Sequence, residues 1–221
     1  MARGFLNLSL SIIVPAESDQ SDQFKNSKTL FNSLQDVEVI YVNRSEAITR
    51  AERLNIGFYR SHGTMVLFYH PRSYVSPEGL KYLSTISEQK IWGAFTHQFD
   101  ERHWLLDFTS WYSNHVRPKK SGVIYLDHCI FFHRSLFLQD IPLVDIFEDT
   151  LLTKSLSKQQ KPIILPFHST TSAVRFKANG IYRQAFYNQI LKLGHHLGLP
   201  HDKMNRFYEK GLGLNSTYNK K

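Results

Sequence analysis

Short apolar runs separated by polar segments dominate the first third of the chain. Three of these runs, rich in Ile and Val, predict buried strands at residues 10–14, 37–42 and 65–69. Between the second and third runs, apolar residues recur at the spacing of one helix face, at Ile48, Ala51, Leu54 and Phe58. Ser45 is a candidate N-cap for that helix and Gly63 a candidate stop. The alternation predicts an α/β domain with a mostly parallel central sheet flanked by helices.

The rest of the chain continues this alternation. Further strands are predicted at residues 91–99, 122–127, 129–132 and 162–165. Further helices are predicted at residues 28–34, from Pro77 to about residue 86, at 104–111 and from the acidic stretch 140–149 to residue 156. From Gly180 to about Lys210 aromatic, aliphatic and basic residues alternate, which predicts two helices separated at Gly198-Leu199-Pro200.

The length and uniformity of the chain predict a single domain. No repeat, linker or low-complexity segment interrupts the 221 residues, which are enough to bury a sizeable core. The expected parts are a first half at about residues 1–90, a second half at about 91–178 and a basic helical tail at about 179–221.

The charge of the chain is strongly positive, with a formal net value of +8. Such a balance fits either a basic solvated surface or an anionic partner, such as nucleotide phosphates or anionic lipid headgroups. The sequence contains no zinc knuckle, RNP motif or helix-turn-helix with a basic reading face. A nucleic-acid partner is therefore not expected.

The compartment is inferred from one cysteine and from the N-terminal residues. Cys129 is the single cysteine and lies in an apolar run, which indicates a buried thiol and a reducing environment. The apolar N-terminal stretch contains Asn and Ser and ends in Pro15-Ala16-Glu17, without a convincing signal-peptide cleavage site. No run of about 18 apolar residues indicates a transmembrane helix. A cytoplasmic protein is expected.

The end of the third predicted strand carries the most informative polar residues. In α/β domains, catalytic and ligand-binding groups lie where a parallel strand ends and its loop begins. Here the strand is followed by His70-Pro71-Arg72. His70 and Arg72 are therefore candidate ligand-binding residues, although a histidine at a strand end is as often a satisfied structural residue.

Several motifs follow one another in a specific order. Ser11-Ile12-Ile13-Val14-Pro15 precedes Arg50-Ala51-Glu52-Arg53-Leu54-Asn55-Ile56-Gly57 and the strand that ends in His70. Later come Trp92-Gly93-Ala94-Phe95, Phe99-Asp100-Glu101-Arg102-His103, Asp127, Ile141-Pro142-Leu143, Glu148-Asp149, Thr171-Ser172-Ala173, Arg175-Phe176 and Gly180. In this order they resemble the family-2 glycosyltransferases of GT-A fold. Among these, the likeness is to the small subgroup known as radical-SAM/selenodomain-associated transferases, and it covers nearly the whole chain.

The resemblance implies a fold and an activity. The first half would be a Rossmann-like nucleotide-binding unit, merged with a second, acceptor-binding half. Family members transfer a sugar from a nucleotide diphosphate, usually with inversion. The implied partners are therefore a nucleotide diphosphate sugar and an acceptor that the sequence does not identify.

The resemblance also implies roles for single residues. In the nucleotide-sugar site it places Pro15, Ala16 and Glu17 in the loop around the base and ribose, Asn43 at a base or ribose contact, Arg50 and Asn55 on the donor-side helix, and His70 and Asp127. Glu148 and Asp149 match the acidic pair whose second member is the general base. From the residues alone, this pair equally fits the favourable placement of acids at a helix N-terminus.

Arg72 departs from the family pattern. It occupies the Asp position of the subgroup motif Leu-His-Ala-Asp-Thr, whose carboxylate binds a divalent cation. A hard cation requires oxygen ligands, and about 4 Å from a guanidinium it would be repelled by several kcal/mol at an effective dielectric of about 20. No cofactor is therefore expected, and Mg²⁺ or Mn²⁺ in the usual position is disfavoured.

Three hypotheses follow for the function. In the first, Arg72 replaces the metal and binds diphosphate oxygens, helped by Lys119 or Lys120. In the second, catalysis has been lost and the scaffold binds a nucleotide, a glycan or a protein without turnover. In the third, the basic aromatic tail, with Phe186-Tyr187 and Lys192, lies on an anionic membrane surface. Packing of the tail helices on their own domain is the alternative to the third hypothesis.

Overall fold

The computed structural model describes residues 8–16, 29–32 and 34–210, and in them one sheet forms the centre of the fold. Its strands are β1 (Leu10–Pro15), β2 (Val37–Val42), β3 (Met65–Phe68), β4 (Ser73–Val75), β5 (Trp92–Phe99), β6 (Ile130–His133) and β7 (Ile163–Thr171). They are arranged in the order β2-β1-β3-β6-β5-β7-β4.

The sheet is mixed. β1 pairs in parallel with β2 and β3, and β5 pairs in parallel with β7. β6 joins these two parallel parts, because it is antiparallel to both β3 and β5, and β4 is antiparallel to β7. The predicted α/β class is confirmed, and the sheet carries more antiparallel pairing than a mostly parallel one.

Helices flank the sheet on both faces. They are α1 (Arg50–Arg60), α2 (Pro77–Thr85), α3 (Trp104–His115), α4 (Arg117–Ser121), α5 (Glu148–Ser157), α6 (Val174–Asn179), α7 (Ile181–His196) and α8 (His201–Lys210). Alternate residues of a strand point to opposite faces. In β1, Ile12 therefore packs in one buried cluster with Leu80 of α2, and Ile13 packs in the other with Leu54 of α1.

The helix predicted after Ser45 begins later than expected. The hydroxyl of Thr49 accepts a hydrogen bond from the N–H of Glu52 at 3.2 Å, so Thr49 is the N-cap. Residues 44–46 form a turn, in which the N–H of Glu46 donates to the carbonyl of Asn43. The helix ends at Arg60, with Ser61 rather than Gly63 at its C-cap.

The strand predicted at residues 122–127 is wrong. The N–H of Ile124 donates to Thr153 Oγ1 and the N–H of Leu126 donates to Asp149 Oδ2, so these donors bond to α5 side chains. The chain then makes a 3₁₀ turn at Leu126–His128 and enters β6 through Cys129, whose φ is 55°. An apolar run thus serves as a connection because helix side chains satisfy its backbone.

Most other elements agree with the predictions, with different lengths. β7 extends to Thr171 because it pairs with both β5 and β4, and neither β4 nor α6 was predicted. Gly93 of β5 lies so close to β7 that an added Cβ would be 1.9 Å from the carbonyl oxygen of Ile163.

The two tail helices and their break are confirmed. The predicted loop after Ala16, including Glu17, lies outside the described residues. The division into two halves and a tail stays a prediction.

No helix in the described ranges is long and apolar enough to cross a membrane.

Candidate functional site

A cleft of about 820 Å³ lies where several strands end. His70 and Arg72, which follow β3, line it together with Phe99 at the end of β5 and Thr171 at the end of β7. Asp149, in the first turn of α5, lines it as well. Helices α7 and α8 contribute a further wall, so the basic tail forms part of the cleft.

The lining of the cleft is mainly basic. Its cationic side chains are Arg44, Arg50, Arg53, Arg72, Arg117, Arg175, Lys192 and Arg206. Its carboxylates are Asp127, Asp145 and Asp149. A concave surface with this excess of positive charge attracts anions.

His70 and Arg72 belong to one tight turn. The N–H of Ser73 donates to the carbonyl of His70 at 2.9 Å, and Pro71 occupies the second position, as is common in such turns. The N–H of Arg72 donates to His70 Nδ1 at 3.3 Å. Because Nδ1 accepts, the neutral ring carries its proton on Nε2.

His70 is held in its neutral form. Burial, followed by the charges of Arg72 and Arg50, keeps its pKa well below the usual range. Its side chain is therefore a hydrogen-bond donor through Nε2, placed beside guanidinium groups. This arrangement suits an oxygen-rich anionic ligand.

Asp127 is fixed through its backbone. The hydroxyl oxygens of Ser73, Ser169 and Thr171 lie 3.0, 2.7 and 3.0 Å from its carbonyl oxygen. These hydroxyls come from β4 and β7, so the 3₁₀ turn before the central strand β6 is bonded to the two strands at one edge of the sheet.

The carboxylate of Asp127 stays charged. Its Oδ2 lies 3.5 Å from Nε2 of His97. Burial alone would raise the pKa of Asp127, but His97, His128, His70 and Arg117 together outweigh it and lower the pKa to about 2. Asp127 is therefore a poor proton acceptor near neutral pH and a permanent negative charge in a basic cleft.

Asp149 has the opposite electrostatic character. Its Oδ2 accepts from the N–H of Leu126 at 3.0 Å, and its Oδ1 accepts from the N–H of Thr150 at 2.7 Å. Burial, and then the neighbouring charge of Glu148, raise its pKa to about 6, against the opposing effect of Arg50. A carboxylate with a pKa near neutral pH is suited to general-base catalysis.

Glu148, the other acid of the predicted pair, lies behind this surface. It is 1% exposed, forms an ion pair with Arg50 and is not among the residues that line the cleft. Arg50 itself does line the cleft. In the described structure Glu148 therefore positions Arg50 and raises the pKa of Asp149.

The remaining predicted site residues lie elsewhere. The Asn55 amide donates to the carbonyl of Ile141 at 2.9 Å and accepts from its N–H at 3.0 Å, away from the cleft lining. Pro15, Ala16 and Asn43 are also not among the lining residues, and Glu17 is outside the described ranges.

Sequence reasoning missed several lining residues, including Arg117, Tyr125, Arg175 and Lys192. Lys119 and Lys120, which were expected to help bind the diphosphate, are exposed and do not line the cleft, whereas the nearby Arg117 does. The proline that follows Arg117 is a weak local signal, because a proline in the first turn is typical of a helix start.

The side chains around His70 do not suit a divalent metal. The charges that act on this ring are mainly those of Arg72 and Arg50, whereas Mg²⁺ and Mn²⁺ prefer carboxylate and other oxygen ligands. Within the described residues, no group of three or more His, Cys, Asp or Glu side chains is placed to hold a metal ion.

Comparisons with known proteins give a match in structure but not in sequence. No protein-family model matches the chain, and no curated protein matches it. The crystal structure of a mycobacterial protein matches with a TM-score of 0.54 and 13% identity, covering 87% of this chain and 76% of that one. Glucosyl-3-phosphoglycerate synthase from Mycobacterium tuberculosis matches with a TM-score of 0.51 and 14% identity, covering 76% and 74%. The chain has the GT-A glycosyltransferase fold.

A second glycosyltransferase supports the GT-A fold. The mannosyltransferase PcManGT from Pyrobaculum calidifontis, solved in complex with GDP-Man and Mn²⁺, matches with a TM-score of 0.50 and 14% identity. The alignment covers 83% of this chain and 64% of the mannosyltransferase. At such identities the likeness shows the fold, and the chemistry must be argued from the cleft.

Proposed function

We propose that the protein transfers a sugar from a nucleotide diphosphate donor to an acceptor hydroxyl, with inversion and without a divalent metal. The observation that carries this proposal is one cleft that combines Arg72 at a strand-end turn with Asp149, whose pKa is raised to about 6. The GT-A fold, and the binding of GDP-Man by one structural neighbour, support the donor class.

Arg72 and Arg50 would bind the diphosphate. Both line the cleft, and both act on the neutral ring of His70. A planar guanidinium forms paired hydrogen bonds with phosphate oxygens and neutralises charge as the diphosphate leaves. The Nε2–H of His70 adds a neutral donor. Arg72 would thus serve in place of the metal that the family motif binds.

Asp149 would activate the acceptor. As the acceptor oxygen attacks the anomeric carbon, its proton passes to the carboxylate of Asp149. The new C–O bond forms while the bond to the diphosphate oxygen breaks, and the electron pair leaves with the nucleotide diphosphate. Attack from the face opposite the leaving group inverts the anomeric configuration.

Nucleotide binding tests the diphosphate side. We expect UDP or GDP to raise the melting temperature in the presence of a chelator, and added Mn²⁺ to change this shift little. Arg72→Ala should lose the shift, and Arg72→Asp should regain it only with Mn²⁺. Lys119→Ala, which removes an exposed charge outside the cleft, is the matched control. A strong Mn²⁺ requirement in the wild type would refute the substitution of metal by Arg72.

Turnover tests the catalytic part. A panel of nucleotide sugars should include a donor that the protein hydrolyses or transfers, and Asp149→Asn should abolish this activity while nucleotide binding persists. Binding without turnover across the whole panel would instead support a scaffold that has lost catalysis. The absence of any nucleotide binding would contradict both.

We also propose peripheral contact with an anionic membrane surface. Tyr182, Phe186 and Leu193 form one stripe along α7, which Leu197 continues at the C-cap, and the four residues are 62%, 64%, 58% and 67% exposed. Trp104 of α3, 63% exposed, adds to this stripe by donating to the hydroxyl of Tyr182 at 3.2 Å. An exposed aromatic and aliphatic stripe on a chain of net charge +8 fits such a surface.

Co-sedimentation with vesicles tests this contact. Phosphatidylcholine vesicles that contain phosphatidylglycerol should retain the wild type, and Phe186→Asp should reduce the retained fraction. Leu138→Asp, at a site that is 72% exposed and lies outside α7, is the control. Equal retention of both variants would contradict the proposal.

A further inference from the structure

Two cationic side chains lie close to one aromatic ring in the cleft. The guanidinium carbon of Arg117 lies 4.1 Å from the centroid of the Tyr125 ring, and Nζ of Lys192 lies 5.6 Å from the same centroid. Arg117 comes from the start of α4 and Lys192 from α7, and all three residues line the cleft. The fold thus brings these two charges together from distant parts of the sequence.

Neither cation forms an ion pair with a carboxylate, although the charge of Asp127 acts on both from a longer distance. In the part of the chain that the structure describes, no ion pair involves Arg117 or Lys192. Arg117 is only 8% exposed, and its Nη1 is buried without a hydrogen-bond partner. A buried guanidinium nitrogen without an acceptor is unfavourable, and a bound anion would remove that penalty.

The two charges also destabilise each other. Burial, and then the charge of Arg117, lower the pKa of Lys192 to about 8, against the opposing effect of Asp127. Two like charges that repel each other form a favourable site for an anion that contacts both. A group with two negative charges balances both cations, which favours a phosphate over a single carboxylate.

The position of the ring relates the site to the proposed base. Tyr125 directly precedes Leu126, whose N–H donates to Asp149 Oδ2. Arg72, by contrast, follows β3 and acts with Arg50 on His70. The carboxylate of Asp127 interacts electrostatically with both His70 and Arg117. The cleft therefore has one group of cations at the strand-end turn and a second near the backbone segment that contacts Asp149.

We propose that Arg117, Tyr125 and Lys192 form a binding site for the phosphate group of the acceptor, which makes the acceptor a hydroxyl-bearing phosphate compound. The acceptor role rests on the proposed sugar transfer, whereas the anion site itself does not. With its phosphate held by Arg117 and Lys192, such an acceptor presents a hydroxyl to Asp149.

Glycerol 3-phosphate, a small compound with both groups, is the probe. Titrated into the full chain at constant ionic strength, it should bind, whereas glycerol should not. Arg117→Gln and Lys192→Gln should each weaken its binding roughly tenfold to a hundredfold, as expected for the loss of a charge-assisted contact. Lys119→Gln removes the same charge from an exposed position near Arg117 and should leave binding unchanged.

A second arm tests phosphate carried by a lipid. Vesicles of phosphatidylcholine with phosphatidic acid replace the soluble probe, with the same three variants. Dependence on Arg117 and Lys192 in the soluble arm supports a free phosphate compound, and dependence in the vesicle arm supports a lipid-borne one. If neither variant weakens binding in either arm, the site is refuted. Lys192 is only half-buried, so Lys192→Gln keeps the test decisive if Arg117→Gln does not fold.

UDP separates this inference from the proposed function. UDP and glycerol 3-phosphate should bind at the same time, and Arg72→Gln should weaken UDP alone. Mutual exclusion of the two ligands would overturn the acceptor assignment. If UDP does not bind while glycerol 3-phosphate depends on Arg117, the donor proposal fails and the phosphate site stands.

Discussion

The carboxylate of Glu148 and the guanidinium of Arg50 form an ion pair between residues 98 positions apart. Glu148 is 1% exposed at the start of α5, and the Arg50 side chain, 33% exposed, reaches the cleft from α1. Since Asp149 follows Glu148 directly, this pair connects the proposed diphosphate site to the proposed base. It makes Glu148 a positioning residue whose removal should be visible in the titration of Asp149.

Glu148→Gln should shift the pH dependence of the reaction to lower pH. The charge of Glu148 adds to the effect of burial in raising the pKa of Asp149 to about 6, so its loss lowers that pKa. The acidic limb of the rate profile, or the carboxyl titration of Asp149 followed by NMR, would report the change. Glu46→Gln, at a solvent-exposed acid, is the control. An unchanged limb in Glu148→Gln would contradict the coupling.

The stability of the Asp149→Asn variant relative to the wild type should increase as the pH rises. Because the pKa of Asp149 is raised from 3.8 to about 6 by burial and then by Glu148, ionisation opposes folding. This penalty is absent below about pH 4, develops between about pH 4 and pH 6 and is nearly complete above about pH 6. The free energy of unfolding of the variant, relative to wild type, should therefore increase between about pH 4 and pH 7 in urea titrations and then level off. A constant difference would show that Asp149 titrates normally.

Asn55→Ala should reduce stability without weakening nucleotide binding. The Asn55 amide holds both backbone groups of Ile141 at 2.9 and 3.0 Å, and it is 7% exposed. Its removal leaves a buried N–H and a buried carbonyl without partners, which costs about 2–4 kcal/mol of unfolding free energy. Urea unfolding and UDP titration measure the two effects separately. Weaker UDP binding in a folded Asn55→Ala protein would instead support the donor-side role that the resemblance implied.

Cys129 should be unreactive in the native protein. Burial raises the pKa of its thiol to about 12, and the residue is 0% exposed. Because the thiolate is the reactive form, a thiol reagent such as DTNB should label no cysteine before denaturation and one after it. Rapid labelling of the folded chain would show that the β3–β6 region opens readily.

Three strands and one helix start, which depend on neighbouring residues, could be predicted from the sequence. The apolar runs that became β1, β2 and β3 are short, rich in Ile and Val and followed by polar residues, so local pattern alone identifies them. α2 begins at Pro77 as expected, and Ser76 is its N-cap. The run at 122–127 misled because its apolar pattern resembles a strand, while its N–H groups bond to Thr153 and Asp149.

The candidate site was only partly accessible to the same reasoning. His70, Arg72 and Asp149 were identified, the first two from a strand end and the last from the resemblance, and all three line the cleft. Arg117 and Lys192 were not, because nothing local distinguishes a basic residue that faces a cleft from one that faces solvent.

The sequence by itself determined the α/β class, the order of most elements and the position of Arg72 in the loop that follows a strand. These properties depend on residue type and on periodicities of a few residues. Only the tertiary structure decided that β6 runs antiparallel between two parallel parts, that Asn55 binds Ile141 and that Arg117 and Lys192 share the ring of Tyr125. These are contacts between distant segments, set by how the sheet and helices pack rather than by local sequence.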